Sequence, residues 1–280
     1  MATSASSAVI TRYKELLATN ADQTIDGISP STEIDQLIGV GTAHQVYSLA
    51  GAPQWVLRVR ISKAPAPPAH LSLETEASRL AAEHHLAPSV AMRSDHGLSI
   101  CQRVLMKSPS WSDHADLMRA IHQLSTNGLR AAEHTLSLAD HAAYYWEKLT
   151  RDQQSNYGLS PLTPSIQDDL AQLDASAKVL CHNDLTPSNI GTLEGHWVAM
   201  DWDYAAISSR YFDAAVASTH LSEAVRDRFA RRVIDDGFCP DTWQTAKRIT
   251  LLINHLWSLA ELKTLPPALH RERLHVLWAK

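Results

Sequence analysis

Residues 180–190 read LCHNDLTPSNI and residues 198–204 read VAMDWDY. They set His182, Asp184, Asn189 and Asp201 in the pattern H-x-D-x-x-x-x-N, a hairpin-length gap, then an apolar run closed by Asp. An apolar stretch of strand character precedes each half. A capped turn would also gather Asn and Asp, since both favour turns. Four such groups at this spacing restrict the segment much further, to a strand–loop–strand unit over 179–201 that presents an imidazole, two carboxylates and an amide.

The rest of the chain divides by texture. With 280 residues it can form one large domain or two lobes. Residues 6–18 predict a short amphipathic helix, and Asp22–Pro30 a polar linker. IDQLI leads into Gly39 and Gly41, and HQVYSLA and WVLRVRI then alternate as the strands of a hairpin turning at Gly51-Ala52-Pro53. APAPPAH (64–70) is a proline-rich loop. LSLETEASRLAAEHHL predicts a helix with Leu73, Ala77, Leu80 and Ala81 on one stripe. SVAMRSDHGLSICQRVL reads as two short strands around Asp95-His96-Gly97. Beyond Leu105 the pattern is helical: DHADLMRAIHQL, HAAYYWEKL, SIQDDLAQL, RYFDAAVASTHL, SEAVRDRFARRVIDDG, TWQTAKRITLLINHLWSLAEL and ALHRERLHVLWA. MKSPS (106–110) reads as the connector.

Composition narrows the function. A formal net charge of −5 argues against a nucleic-acid partner. Cys101, Cys181 and Cys239 are odd in number and contain no C-x-x-C pair, so neither a disulfide framework nor a zinc site is expected. The N-terminus does not read as a secretory signal, and no run approaches the ~20 apolar residues of a membrane span. A soluble, cytoplasmic protein is expected. No feature specifies an oligomeric state.

The His182–Asp201 pattern suits phosphoryl transfer from ATP. That chemistry needs a carboxylate to orient and deprotonate an attacking hydroxyl, and an amide oxygen and second carboxylate to hold Mg2+ on the phosphates. Gly39-Val-Gly41-Thr-Ala-His-Gln-Val46 is a partial phosphate-covering loop. It has His44 where G-x-G-x-x-G-x-V has its third glycine, and a plain glycine turn before a hairpin would look the same. Arg58 and Arg60, two apart on one strand face, both qualify as the cation for the α- and β-phosphates. Glu74 and Glu76 compete to be its helix partner.

At these residues the chain resembles the aminoglycoside phosphotransferase and choline kinase superfamily, nearest the bacterial choline kinase or thiamine kinase branch. LIGVGTAHQVY, WVLRVR, ETEASRLAAEHHLAP, LCHNDLTPSN and AMDWDYAAISSRYFDAA carry the likeness in the family's order, including the Phe212-Asp213 pair. The resemblance implies an α+β, bilobal protein-kinase-like fold, with a small antiparallel-sheet lobe and a larger, mostly helical lobe. Residues 1–30 would be a helix and linker, 31–104 the small lobe and 105–280 the large lobe, with ATP between the lobes. Asp184 would be the catalytic base, supported by His182, and Asn189 and Asp201 would bind Mg2+. Gly39, Gly41 and Thr42 would cover the phosphates. Arg58 and Glu74 are the favoured pair, and the backbone of Gln102–Val104 would meet the adenine. The acceptor side draws on Asp203, Trp202, Tyr204 and Trp257, although a helix tryptophan is also ordinary core. Trp243 is expected in a cap or the core. Aromatic faces beside a carboxylate suit a small cation such as choline, thiamine or ethanolamine. An aminoglycoside or macrolide acceptor, or a non-catalytic nucleotide-binding pseudokinase, is the alternative.

Overall fold

The computed structural model describes residues 5–41, 44–61, 73–129, 134–157 and 160–262. The chain divides into two compact units. Met1–Pro65, Ser78–Lys107 and Gly191–Val198 form the first, and Ala66–Ala77, Ser108–Ile190 and Ala199–Lys280 the second.

Helix α1 (Ser7–Thr19) opens the first unit, its N-terminus capped by the Ser6 hydroxyl, which accepts from the Val9 N–H at 3.4 Å. Val9, Tyr13, Leu16 and Leu17 recur on one face. They join Tyr47, Leu49, Leu57, Leu98 and Ile100 in one apolar core, where each buried leucine or isoleucine contributes about 1.5–3 kcal/mol. The helix is thus part of the small unit's core.

Five antiparallel strands make its sheet, in the order β1-β2-β3-β5-β4. They are β1 (Ile34–Val40), β2 (His44–Leu49), β3 (Trp55–Arg60), β4 (Val90–Arg93) and β5 (Leu98–Gln102). The expected hairpin is β2–β3, with Tyr47 opposite Leu57. The segment expected only to lead into the glycines is itself an edge strand, with Gly39 opposite Val46. None of its residues is fully buried, which is why IDQLIGV carries so faint a strand period. Between β3 and β4, helix α2 (Leu73–Glu83) fully buries Leu73, Ala77 and Ala81. The β4–β5 turn closes at Gly97, whose φ of +75° is a glycine conformation.

The predicted strand–loop–strand unit resolves differently. Its strands are β7 (Lys178–Cys181), β8 (Ile190–Leu193) and β9 (His196–Ala199), but β7 pairs with neither of the others. It pairs with β10 (Ala206–Ser209) in the second unit. Strand β8 lies between β9 and the two-residue β6 (Leu105–Met106) in the first unit. The approach to β6 is close: a Cβ on Gly191 would fall 2.4 Å from Val104 Cγ1 and 2.7 Å from the Leu105 carbonyl oxygen.

The second unit is helical around β7 and β10. Its helices are α3 (Trp111–His122), α4 (Leu138–Glu147), α5 (Arg151–Tyr157), α6 (Pro164–Asp174), α7 (Arg210–Ser218), α8 (Glu223–Ile234) and α9 (Pro240–Trp257). A capping box between Ser110 and Asp113 starts α3, so the connector ends as a helix cap. Helix α9 packs on α4, α6 and α7, with Trp243 fully buried and its indole N–H donating to Asp227 at 2.6 Å. A π-helical turn, Ser258–Leu262, continues it. Among the described residues no helix is long and apolar enough to cross a membrane. The predicted proline-rich loop, the ALHRERLHVLWA helix and Thr42 lie outside the described residues.

Candidate active site

The loop after β7 is built on Asp213, a fully buried carboxylate in α7. Its Oδ2 accepts from the His182 backbone N–H at 3.1 Å, and its Oδ1 from that of Asn183 at 2.8 Å. The His122 Nε2–H donates to Oδ2 at 2.8 Å. Burial alone would raise this carboxyl, but the hydrogen bond and charge of His122 outweigh it and hold Asp213 below the ordinary carboxylate range. A second buried histidine, His114 in α3, donates from Nε2 to the Leu185 carbonyl at 2.8 Å. Burial lowers its pKa to about 4, so it is neutral when it makes that bond.

His182 is fully buried. Its Nε2–H donates to the Met200 carbonyl at 2.9 Å, and its Nδ1 accepts the Asp184 N–H at 3.3 Å. Both ring nitrogens are therefore committed, and burial holds the ring in the neutral form that this pattern requires. The ring lies 4.8 Å from that of Trp202, whose indole N–H donates to Ala199 O at 3.1 Å. Trp202 is 3% exposed, which leaves it no open face for an acceptor.

The residue between His182 and Asp184 had no assigned task. Asn183 sits at φ +59°, a strained conformation for a side chain other than glycine. Its amide Nδ2–H donates to the Tyr204 carbonyl at 3.0 Å, tying the loop to the next one.

Asp184 is half-buried. Burial first, then the negative charge of Asp201, push its carboxyl up to about 7, against the lowering effect of the Asn189 amide. The Asn189 Nδ2 group donates to the Asp184 carbonyl at 2.8 Å and to its Oδ2 at 3.0 Å. Those bonds use the Asn189 N–H groups and leave its amide oxygen to act as an acceptor or ligand. Asp201 stands at φ +63°, ψ +63°, and the Met200 N–H donates to Asn189 O at 2.8 Å, tying the two segments together. The chemistry of this set fits a hard divalent cation: an oriented amide oxygen and carboxylates whose repulsion such an ion relieves.

Of the residues expected on the acceptor side, Asp203 is buried and Tyr204 half-buried. Burial, then the charges of Asp184, Asp203 and Glu261, raise the Tyr204 phenol, against a hydrogen bond from Trp257. Trp257 is half-buried at the end of α9, so core packing leaves part of its ring exposed.

In the first unit, Arg58 and Arg60 are both half-buried on β3. The Arg58 guanidinium meets His44 Nδ1 at 3.1 Å, so the histidine at the third-glycine position gives that arginine a neighbour. The Gly41 N–H donates to His44 O at 2.8 Å, closing the glycine turn. In the part of α2 that belongs to the second unit, Glu74 is 8% exposed whereas Glu76 is half-buried. At the expected adenine segment, the Gln102 N–H already donates to Ser89 O and that of Arg103 to Gln54 O.

The sequence pattern of the phosphotransferase enzyme family matches residues 36–249. The chain belongs to that family. It is a small-molecule kinase in kind, and the mixed α/β architecture is that of the protein-kinase-like structures it resembles. An ethanolamine kinase from Plasmodium vivax superposes with a TM-score of 0.66 at 15% identity, covering 94% of this chain and 86% of that one. Choline kinase LicA from Streptococcus pneumoniae gives 0.65 at 13% identity, covering 97% of each chain. APH(2")-IIia, in complex with GDP and kanamycin, gives 0.60 at 15% identity, covering 95% of this chain and 96% of its own. No curated protein matches the chain in sequence. For this phosphotransferase, what sequence reasoning missed is the network behind the loop: His114, His122 and Asn183. Asp213 was visible only as half of a Phe-Asp pair.

Proposed function

We propose that this phosphotransferase transfers the γ-phosphoryl group of ATP to the hydroxyl of a small cationic metabolite, with choline first and thiamine or ethanolamine next. The observation that carries the reading is Asp184. Its Oδ2 accepts from the Asn189 amide at 3.0 Å, its backbone N–H is held by His182 Nδ1, and Asp201 stands near enough for its charge to be felt. A carboxylate held in one orientation within reach of a hydroxyl can take its proton. Asp184 acts as that base and His182 as the neutral prop of its loop. Asn189 and Asp201 would hold Mg2+, which when bound neutralises charge on the phosphates. Arg58 serves the α- and β-phosphates, and Glu74, the more buried of the two glutamates, is the favoured glutamate of α2. Gly39, Gly41 and Thr42 cover the phosphates. Two of the three N–H groups in 102–104 are committed elsewhere, so the backbone of Val104 offers the donor for adenine.

Tyr204, Asp203 and Trp257 line the acceptor side, and Trp202 supports the loop instead. The likeness to choline and ethanolamine kinases supports this acceptor class. Likeness to a kanamycin-bound phosphotransferase makes an aminoglycoside the competing acceptor. A coupled assay with choline, thiamine, ethanolamine, kanamycin and neutral sugars distinguishes them. Turnover of a small cation is expected, and Asp184→Asn should lower it by at least ~10²-fold, the usual scale for lost general-base help. Sugars outperforming every cation would overturn the acceptor, and near-normal turnover by Asp184→Asn would remove the base.

A further inference from the structure

One cation already occupies an aromatic and acidic setting in the second unit. Lys148, at the C-cap of α4, places its Nζ 2.5 Å from Glu261 Oε1. The same atom lies 4.3 Å from the ring centroid of Tyr144 and 6.0 Å from that of Tyr145. Tyr144 and Lys148 are four apart on α4 and so share a face. Glu261 comes from the π-helical turn after α9, four residues beyond Trp257. A carboxylate in contact and aromatic faces within ~6 Å are what recognise an ammonium group.

The cage adjoins the reacting residues through Tyr204. The charges of Glu261, Asp184 and Asp203 all bear on its hydroxyl, to which Trp257 also hydrogen-bonds. The Lys148 and Glu261 side chains are 29% and 27% exposed. Such a pair is wet enough to exchange partners without stranding a buried charge. Lysine's flexible four-carbon stem lets its head leave for water.

We propose that Lys148 is a tethered competitor for the cationic group of the acceptor, holding the Glu261–Tyr144 cage until an acceptor displaces it. This deepens the function proposed above and rests on its cationic acceptor. Because the lysine is tethered, its effective concentration is high. A weakly held ammonium is excluded, and an acceptor with further contacts at Tyr204 and Trp257 prevails. Lys148 thereby sets acceptor selectivity while taking no part in the transfer.

Calorimetric titration with tetramethylammonium and with choline tests this without turnover. In Lys148→Met the cage is vacated, and affinity for both ions should rise by about fivefold to tenfold, the scale of one ammonium–aromatic contact. Lys148→Arg restores a tethered cation and should return the affinity to that of the wild type. Glu261→Gln should weaken binding, while MgATP affinity stays level in all three. Lys148→Gln gives the same reading if the methionine variant folds poorly. Equal ammonium affinity in wild type and Lys148→Met would show a structural ion pair only and would overturn the inference alone. Weaker binding in Lys148→Met would make the lysine a supporting residue and likewise overturn it. If neither protein binds an ammonium ion while another alcohol is phosphorylated, the cationic-acceptor reading falls as well.

Discussion

The loop at His182–Asn189 and the wall formed by Tyr204, Trp257 and Glu261 belong to the same unit but are held differently. The loop hangs on buried groups that bond its backbone: Asp213 takes two backbone N–H groups, and His114 bonds the Leu185 carbonyl. The wall is half-exposed and joined side chain to side chain, and its strongest link, Lys148–Glu261, remains partly wet. Backbone-directed bonds in a dry interior fix atoms in one place, because an unmade bond there is costly. Side-chain bonds at the surface can be exchanged at little cost. In the proposed reaction the first suits the group that must meet a reacting hydroxyl, and the second suits discrimination among acceptors.

The comparison can be broken most severely at Asp213. Asp213→Ala leaves His122 and two backbone N–H groups without their buried acceptor, and should cost about 3–5 kcal/mol of stability. Denaturant unfolding would read this. A loss under about 1 kcal/mol, the size of an ordinary hydrogen bond, would mean that the loop does not depend on its anchor.

Next in size is the pH dependence of the other anchor. The pKa of His114 falls from 6.5 unfolded to about 4 folded. The unfolded chain therefore binds the proton first, and stability present above pH 6.5 is lost as pH falls toward 4. The group's full contribution is roughly 3 kcal/mol. Asp184 acts in the opposite sense, since its raised pKa removes stability as pH rises from 3.8 toward 7. The clean measurement is thus the stability difference between wild type and His114→Gln. It should shrink by that amount between pH 7 and pH 4, and a constant difference would show that His114 titrates normally.

The smallest effect is expected at the wall. Trp257→Ala should raise the acceptor's KM by about twofold to thirtyfold, the range of 0.5–2 kcal/mol for one aromatic–cation contact. It should leave the MgATP KM and the unfolding midpoint nearly level. A large loss of stability would place Trp257 with the loop's structural residues and erase the contrast.

Much of this was legible in the chain. Asp184, Asn189 and Asp201 were visible because they cluster within one short segment. The helices of the second unit were visible through their apolar periods. The β2–β3 hairpin declared itself by alternation. Strand β1 did not, because an edge strand with no fully buried residue has little period to show. Nor did Trp202 reveal its place: an aromatic beside Asp201, the proposed metal ligand, reads alike whether it faces an acceptor or backs onto His182.

By itself, then, the sequence determined the candidate reacting set, most of the element types and the order in which they occur, because these depend on neighbours along the chain. Tertiary structure decided which strand β7 would pair with, that Asp213, His114 and His122 would hold the loop, and that Lys148 would meet Glu261 across 113 residues. Those choices depend on which distant groups can be buried together with their hydrogen bonds complete, and local pattern carries no record of that.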